Sequence, residues 1–189
     1  LPSRCSGRTR ASRPAAERQG VRETMLTRAA WMFTWLTIAF AVDATGSSPG
    51  ASGEDSVTTI AEHALVAFFD SLSAGNYAAA VNRYGGEYNG LRDWNPLVPE
   101  NDYVTLLQHG CTINGLQCLR VRQILDRQSL PGGSIRFHIE FSRPDGRLFV
   151  RGPCCGATAA EDPPDSVFCY DVRRFGNQYR VTNLPPHVP

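Results

Sequence analysis

Apolar residues recur every three to four positions along residues 60–84, with one interruption. Ile60, Ala64, Leu65, Phe68 and Leu72 fall on one face of a first helix, and Tyr77, Ala80, Val81 and Tyr84 on one face of a second. The spacing predicts helices over 56–73 and 76–84, joined by an Ala74-Gly75 turn. Asp55 or Ser56 is the expected N-cap of the first helix and Asn76 that of the second, with Gly85-Gly86 as the stop. Residues 87–100 carry Asn-Gly, Asn-Pro and Val-Pro breakers and read as irregular. A short third helix over 102–109 turns Tyr103, Leu106 and Leu107 inward.

Further along, the period changes to that of strands. Ile135, Phe137, Ile139 and Phe141 alternate with Arg136, His138 and Glu140, which gives one apolar and one polar face. Five strands are expected, over 118–127, 134–141, 147–152, 167–175 and 178–184, the last two joined across Gly176-Asn177. The final PPHVP reads as unable to extend a sheet, because proline lacks the N–H a ladder needs. Helices followed by an antiparallel meander predict an α+β domain, its N-terminal helices packed on one face of a strongly curved sheet.

The front of the chain reads differently. Residues 29–42 form an uncharged run behind Arg28. Its 14 residues fall short of the roughly 20 a spanning helix needs. They suit the apolar core of a secretory signal, with cleavage expected between Val42 and Gly46. The expected organisation is an upstream segment over 1–24 that precedes the true start at Met25, a signal peptide over 25–44, a flexible linker over 45–54 and a single domain over 55–189. A secreted or extracytoplasmic location follows, without stable membrane insertion after cleavage. Beyond residue 45 there are 12 Arg and no Lys against 15 Asp plus Glu, a balance of −3 that offers no basic surplus for nucleic acid.

Five cysteines lie in the expected domain. In an exported chain their default is the disulfide. Cys111 and Cys118 flank Asn114-Gly115, a turn that brings them together. Cys169 is then expected to bond one of Cys154 and Cys155, with Cys155 the choice, leaving one thiol over. Metal-ligand spacings of the CxxC or paired-His kind are lacking, so no metal and no cofactor is expected.

The stretch ALVAFFDSLSAGNYAAAVNRYGG (64–86), with a closing strand YRVTNL (179–184), resembles the nuclear transport factor 2-like superfamily, the cystatin-like α+β cone. The GPCCG segment at 152–156 is similar to one carried by secreted bacterial members. The resemblance implies a cone-like domain with a cavity. The superfamily includes enzymes such as ketosteroid isomerase and scytalone dehydratase as well as non-catalytic binding modules, so fold alone does not assign function. In such cones the region after the second helix lies near the mouth, which would place Tyr84, Tyr88 and Trp94 where aromatics grip an apolar or sugar-like ligand. His138, between Arg136 and Glu140, is a further ligand-contact or general-base candidate. His63, His109 and His187 read as structural, and Asp70 and Asp93 as acids without an evident partner. The expectation is a non-enzymatic module that binds a small molecule or a cell-surface protein. The alternatives are a small hydrolase, isomerase or dehydratase using the cavity, and a domain that forms homodimers through its sheet.

Overall fold

The structure, a computed structural model, describes residues 53–189, with side chains from Asp55 onward. The upstream segment, the signal-like run and nearly all of the linker lie outside the described residues. Among those described, no helix is long and apolar enough to cross a membrane.

The architecture is α+β. Helices α1 (Gly53–Ser73), α2 (Tyr77–Val81), α3 (Asn89–Trp94) and α4 (Tyr103–Thr112) precede strands β1 (Arg120–Leu130), β2 (Ser134–Ser142), β3 (Phe168–Phe175) and β4 (Gln178–Val181). The strands form an antiparallel sheet in the order β1-β2-β3-β4, and α1 lies against all four.

Helix α1 buries Ala61, Leu65, Phe68, Phe69 and Leu72. Ile60, expected on that face, is 52% exposed. At about 100° per residue it sits some 120° around the helix from Leu72, so the stripe that includes Phe69 and Ala61 excludes it. The Asn76 cap is as expected: its Oδ1 accepts from the Ala79 N–H at 3.2 Å. Segment 87–100 was expected to be irregular but holds α3, whose buried Leu91 anchors it to α4. Gly110 permits that approach, since a Cβ there would lie 2.8 Å from Leu116 Cδ1 and 3.0 Å from Leu91 Cδ2.

Asp102 caps α4. Its Oδ2 accepts from Thr105 Oγ1 at 2.7 Å and its Oδ1 from the Thr105 N–H at 3.1 Å. These bonds, the hydroxyl's first, hold the carboxyl below its usual 3.8. The folded value is thus lower than the unfolded one. The cap's ionic contribution is present above the unfolded value and is lost as pH falls through the folded one. Melting curves of the native chain and Asp102→Asn should differ most near neutrality and converge on acidification. A constant offset would contradict this assignment.

Strand β1 does not alternate simply, and the register shows why. Val121 faces Phe141, Ile124 faces Ile139 and Arg127 faces Phe137, with register shifts between Val121 and Gln123 and between Ile124 and Asp126. Each bulge inserts a residue, so VRQILDR brings every third position to the core side instead of every second. The segment 147–152 was expected to be a strand and is not one. It folds back on the end of β2 through a single Ser142–Leu148 bridge, with the Phe149 N–H on the Phe141 carbonyl at 2.9 Å. It then turns away at Arg151 to pair with Asp165, both by backbone and through a 2.6 Å ion pair. Phe149 is buried, with its ring stacked 5.7 Å from Phe168.

Cys111 and Cys118 are bonded, with Cα atoms 5.6 Å apart. The expected Cys155–Cys169 bond is not formed, because Cys155 is bonded to its neighbour Cys154. Cys169 is itself disulfide-bonded elsewhere, and the loop that carries Cys154 and Cys155 closes on itself. Arg151 and Asp165 pinch its base, and the Cys154 N–H is held by Asp162 Oδ2 at 3.1 Å. Cys169, by contrast, is buried on β3 between β2 and β4, opposite His138. No described cysteine is a free thiol, so the expected spare thiol is absent from this region.

Candidate functional site

Three chain segments converge at one site. The first is the turn after α2. The Gly85 N–H donates to the Val181 carbonyl at 2.8 Å, and the Val181 N–H to the Arg83 carbonyl at 2.9 Å. This parallel pairing with β4 fixes Tyr84 against the core, where its ring stacks on Phe68 at 5.8 Å. The Tyr84 hydroxyl donates to the Glu87 carbonyl at 3.1 Å.

The second segment is α3 itself. Its end is fastened by Asn95, a buried amide. Asn95 Nδ2 donates to the Leu91 carbonyl at 2.7 Å and to Asn114 Oδ1 at 3.0 Å, and its Oδ1 lies 3.0 Å from His109 Nδ1. With the amide nitrogen spent on two acceptors, the carbonyl oxygen faces the imidazole, which places the His109 proton on Nδ1. His109, read in the sequence as structural, thus ties α4 to α3 and to the Asn114 turn. Trp94 projects from this fastened end and is 40% exposed.

The third segment is the C-terminal tail. Proline has no N–H but keeps its carbonyl, and the Pro186 oxygen accepts from the Gln117 N–H at 2.7 Å. The Val188 N–H donates to the Gly115 carbonyl at 3.0 Å, and Leu116 and His187 form an antiparallel bridge. Gly115 has φ +79°, and a Cβ there would collide with the Val188 carbonyl, so both the turn and the docked tail need glycine. The tail sets the His187 ring on Trp94, centroids 4.9 Å apart and planes 29° from parallel.

Together these segments enclose a cavity of about 450 Å³. Tyr84, Trp94, His187 and Leu116 line it, with Glu87, Asn89 and Thr182 to Pro185 around them. Of the residues singled out in the sequence, Tyr84 and Trp94 are brought together here. Tyr88 stands behind them, edge-on to Tyr84 at 5.0 Å and 4.4 Å from the Tyr103 ring, and does not line the cavity. Its hydroxyl is buried without a hydrogen-bond partner. Burial raises both phenols well above the usual 10, with neighbouring Tyr88 and Glu87 adding to the effect at Tyr84 and Tyr103 at Tyr88. Tyr84 therefore stays protonated and keeps its bond to Glu87.

His138 does not line the cavity. It alternates with the core residues Phe137 and Ile139 and so belongs to the other face of β2. There its Nδ1 lies 3.7 Å from Asp126 Oδ2, and the adjacent Arg136 makes a two-pronged pair with Asp171 at 2.6 and 2.8 Å. This is a cross-strand charge ladder. Among the described residues no group of three or more His, Cys, Asp and Glu is arranged to hold a metal ion.

Glu87, Asn89 and Asn183 escaped the sequence reading, and His187, read there as structural, lines the cavity. Glu87 and Asn89 lay in a stretch taken as irregular. His187 lay between prolines that hid the tail's acceptor carbonyls. A second, more open cavity of about 600 Å³ adjoins the Cys111–Cys118 bond, between residues 72–75 and 111–119. Comparison of the chain with protein-family models, with curated proteins and with solved structures finds no match to any of them.

Proposed function

We propose that the chain is an exported, non-enzymatic binding module of the nuclear transport factor 2-like cone type, and that the cavity beside α3 holds a small ligand or a short segment of a cell-surface protein. The observation that carries this reading is the aromatic and polar lining of that cavity. A partly exposed indole lies among a carboxylate, two amides and an imidazole. Its volume falls within the roughly 300–1,000 Å³ of small-molecule sites. The cone reading is supported by the two bulges of β1, which bend a strand, and by α1 lying across all four strands. Binding is favoured over acid–base catalysis because Glu87 is exposed and accepts from Asn89 Nδ2 at 3.2 Å, whereas a catalytic carboxylate is usually desolvated.

The test is protein-observed NMR with a set of small neutral fragments. Shifts should cluster on Trp94, Asn89, Asn183 and His187. Trp94→Ala should weaken the binding about tenfold, or about 1.4 kcal/mol. Shifts that scatter over the surface, or that survive the substitution, would refute the reading.

A further inference from the structure

Accepting the cavity beside α3 as a ligand site, we infer that its ligand is a neutral saccharide, with one pyranose ring seated against Trp94. The lining sorts ligand classes by charge and by hydrogen-bonding capacity. No Arg lines the cavity, while Glu87 does, so a phosphate or other anion meets a like charge and no guanidinium. An acyl chain would cover the Glu87 carboxylate and the Asn183 amide N–H groups without offering them a partner, which is costly for both. A neutral polyol avoids both penalties, because each hydroxyl both donates and accepts.

The individual groups complement such a ligand. The Glu87 carboxylate accepts only. One of its oxygens takes the Asn89 amide at 3.2 Å, and the carboxylate has further lone pairs to offer. Asn183 spends its carbonyl oxygen on the Asp171 N–H at 2.8 Å, so its amide N–H groups are the donors it has left. The Trp94 indole adds a flat apolar face for the C–H side of a sugar ring and an N–H at its rim. His187 stacks on it but does not seal it, since Trp94 remains 40% exposed.

The shared chemistry is the pyranose, whether free or within a polymer, and the experiment separates the two. The whole chain is titrated with N-acetylglucosamine, cellobiose and maltose by NMR and calorimetry, and incubated with insoluble chitin, cellulose and starch. The neutral fragments of the preceding test run in parallel. At least one saccharide should shift Trp94, Asn183 and His187. Trp94→Ala should weaken it about tenfold. Glu87→Gln should weaken it about threefold or more, the loss of one hydrogen bond. Trp94→Tyr, which keeps a stacking face, should retain binding and guards against mere misfolding of the alanine variant. Binding of soluble sugars with no retention on polymers supports a free saccharide, and retention on a polymer supports a chain-bound one. If fragments bind at Trp94 and no saccharide does, the cavity reading stands and the saccharide inference is overturned. If neither binds there, both fail. Saccharide binding that Trp94→Ala leaves intact also overturns the inference.

Discussion

Phe69→Ala should lower the stability of the fold by about 3–5 kcal/mol, the range for deleting a fully enclosed aromatic ring. Phe69 is 0% exposed. Its ring meets Phe68 at 5.1 Å, Phe141 at 4.8 Å and Tyr170 at 4.8 Å, each edge to face. These partners come from α1, β2 and β3, so one side chain joins the helix to the two central strands. The neighbours are themselves fixed: Tyr170 is fully buried, and its hydroxyl donates to the Leu184 carbonyl at 3.3 Å. They have little freedom to collapse into the gap, which puts the loss toward the upper part of the range. Urea unfolding would measure it as a shift in midpoint with the slope preserved. Ile60→Ala is the internal control. At 52% exposed it should change stability by no more than about 0.5 kcal/mol. Comparable losses at the two sites would refute the packing described for α1.

Replacing both Cys111 and Cys118 by alanine should cost about 2–3 kcal/mol, the chain-entropy value for a loop this short. The bond joins residues seven apart whose Cα atoms are 5.6 Å from each other, within the usual span of about 4.4–6.8 Å. The loop it closes contains Gly115 and Leu116, on which the tail rests, and Gln117, which donates to Pro186. Loosening the loop should therefore be felt beyond it. Exchange of the Val188 amide should accelerate in the variant more than that of amides in β2. An unchanged unfolding midpoint would contradict the stabilising role, and uniform acceleration would contradict the coupling to the tail.

What the sequence made legible follows from how local each signal is. The Asn76 cap, the α1 stripe and the Gly176-Asn177 hairpin each depend on residues within a few positions of one another, and the α+β order follows from them. The α1 stripe was still misphased by Ile60, because a helical pattern with an extra apolar residue has two centres and only packing chooses between them. Helix α3 was hidden for the opposite reason. Its six residues carry an Asn-Gly start and little periodicity, and it depends on Leu91 meeting α4 across Gly110. The Cys155 partner is not Cys169 but its own neighbour Cys154, and the strand expected just before that pair, at 147–152, exists only as bridges. In the cavity, aromatic residues stood out in the sequence, whereas Glu87, Asn89 and Asn183 are ordinary polar residues until three distant segments bring them together. His138 shows the converse: conspicuous in sequence, it falls on the face of β2 that carries the charge ladder.

The pairing that positions Tyr84 also bears on how this protein meets copies of itself. A strand at the margin of a sheet offers unused N–H and C=O groups to any passing strand, and soluble proteins blunt such margins. Here the outer side of β4 is occupied at its Val181 end, where Val181 exchanges hydrogen bonds with Arg83 and Gly85. At the opposite end of the order, β1 is bulged and carries Arg120, Arg122, Asp126 and Arg127. Bulges and charge both discourage in-register strand addition. Lengthening of the sheet edge to edge is thereby disfavoured along β1 and at the Val181 end of β4, so both margins among the described residues are blunted against strand-by-strand addition.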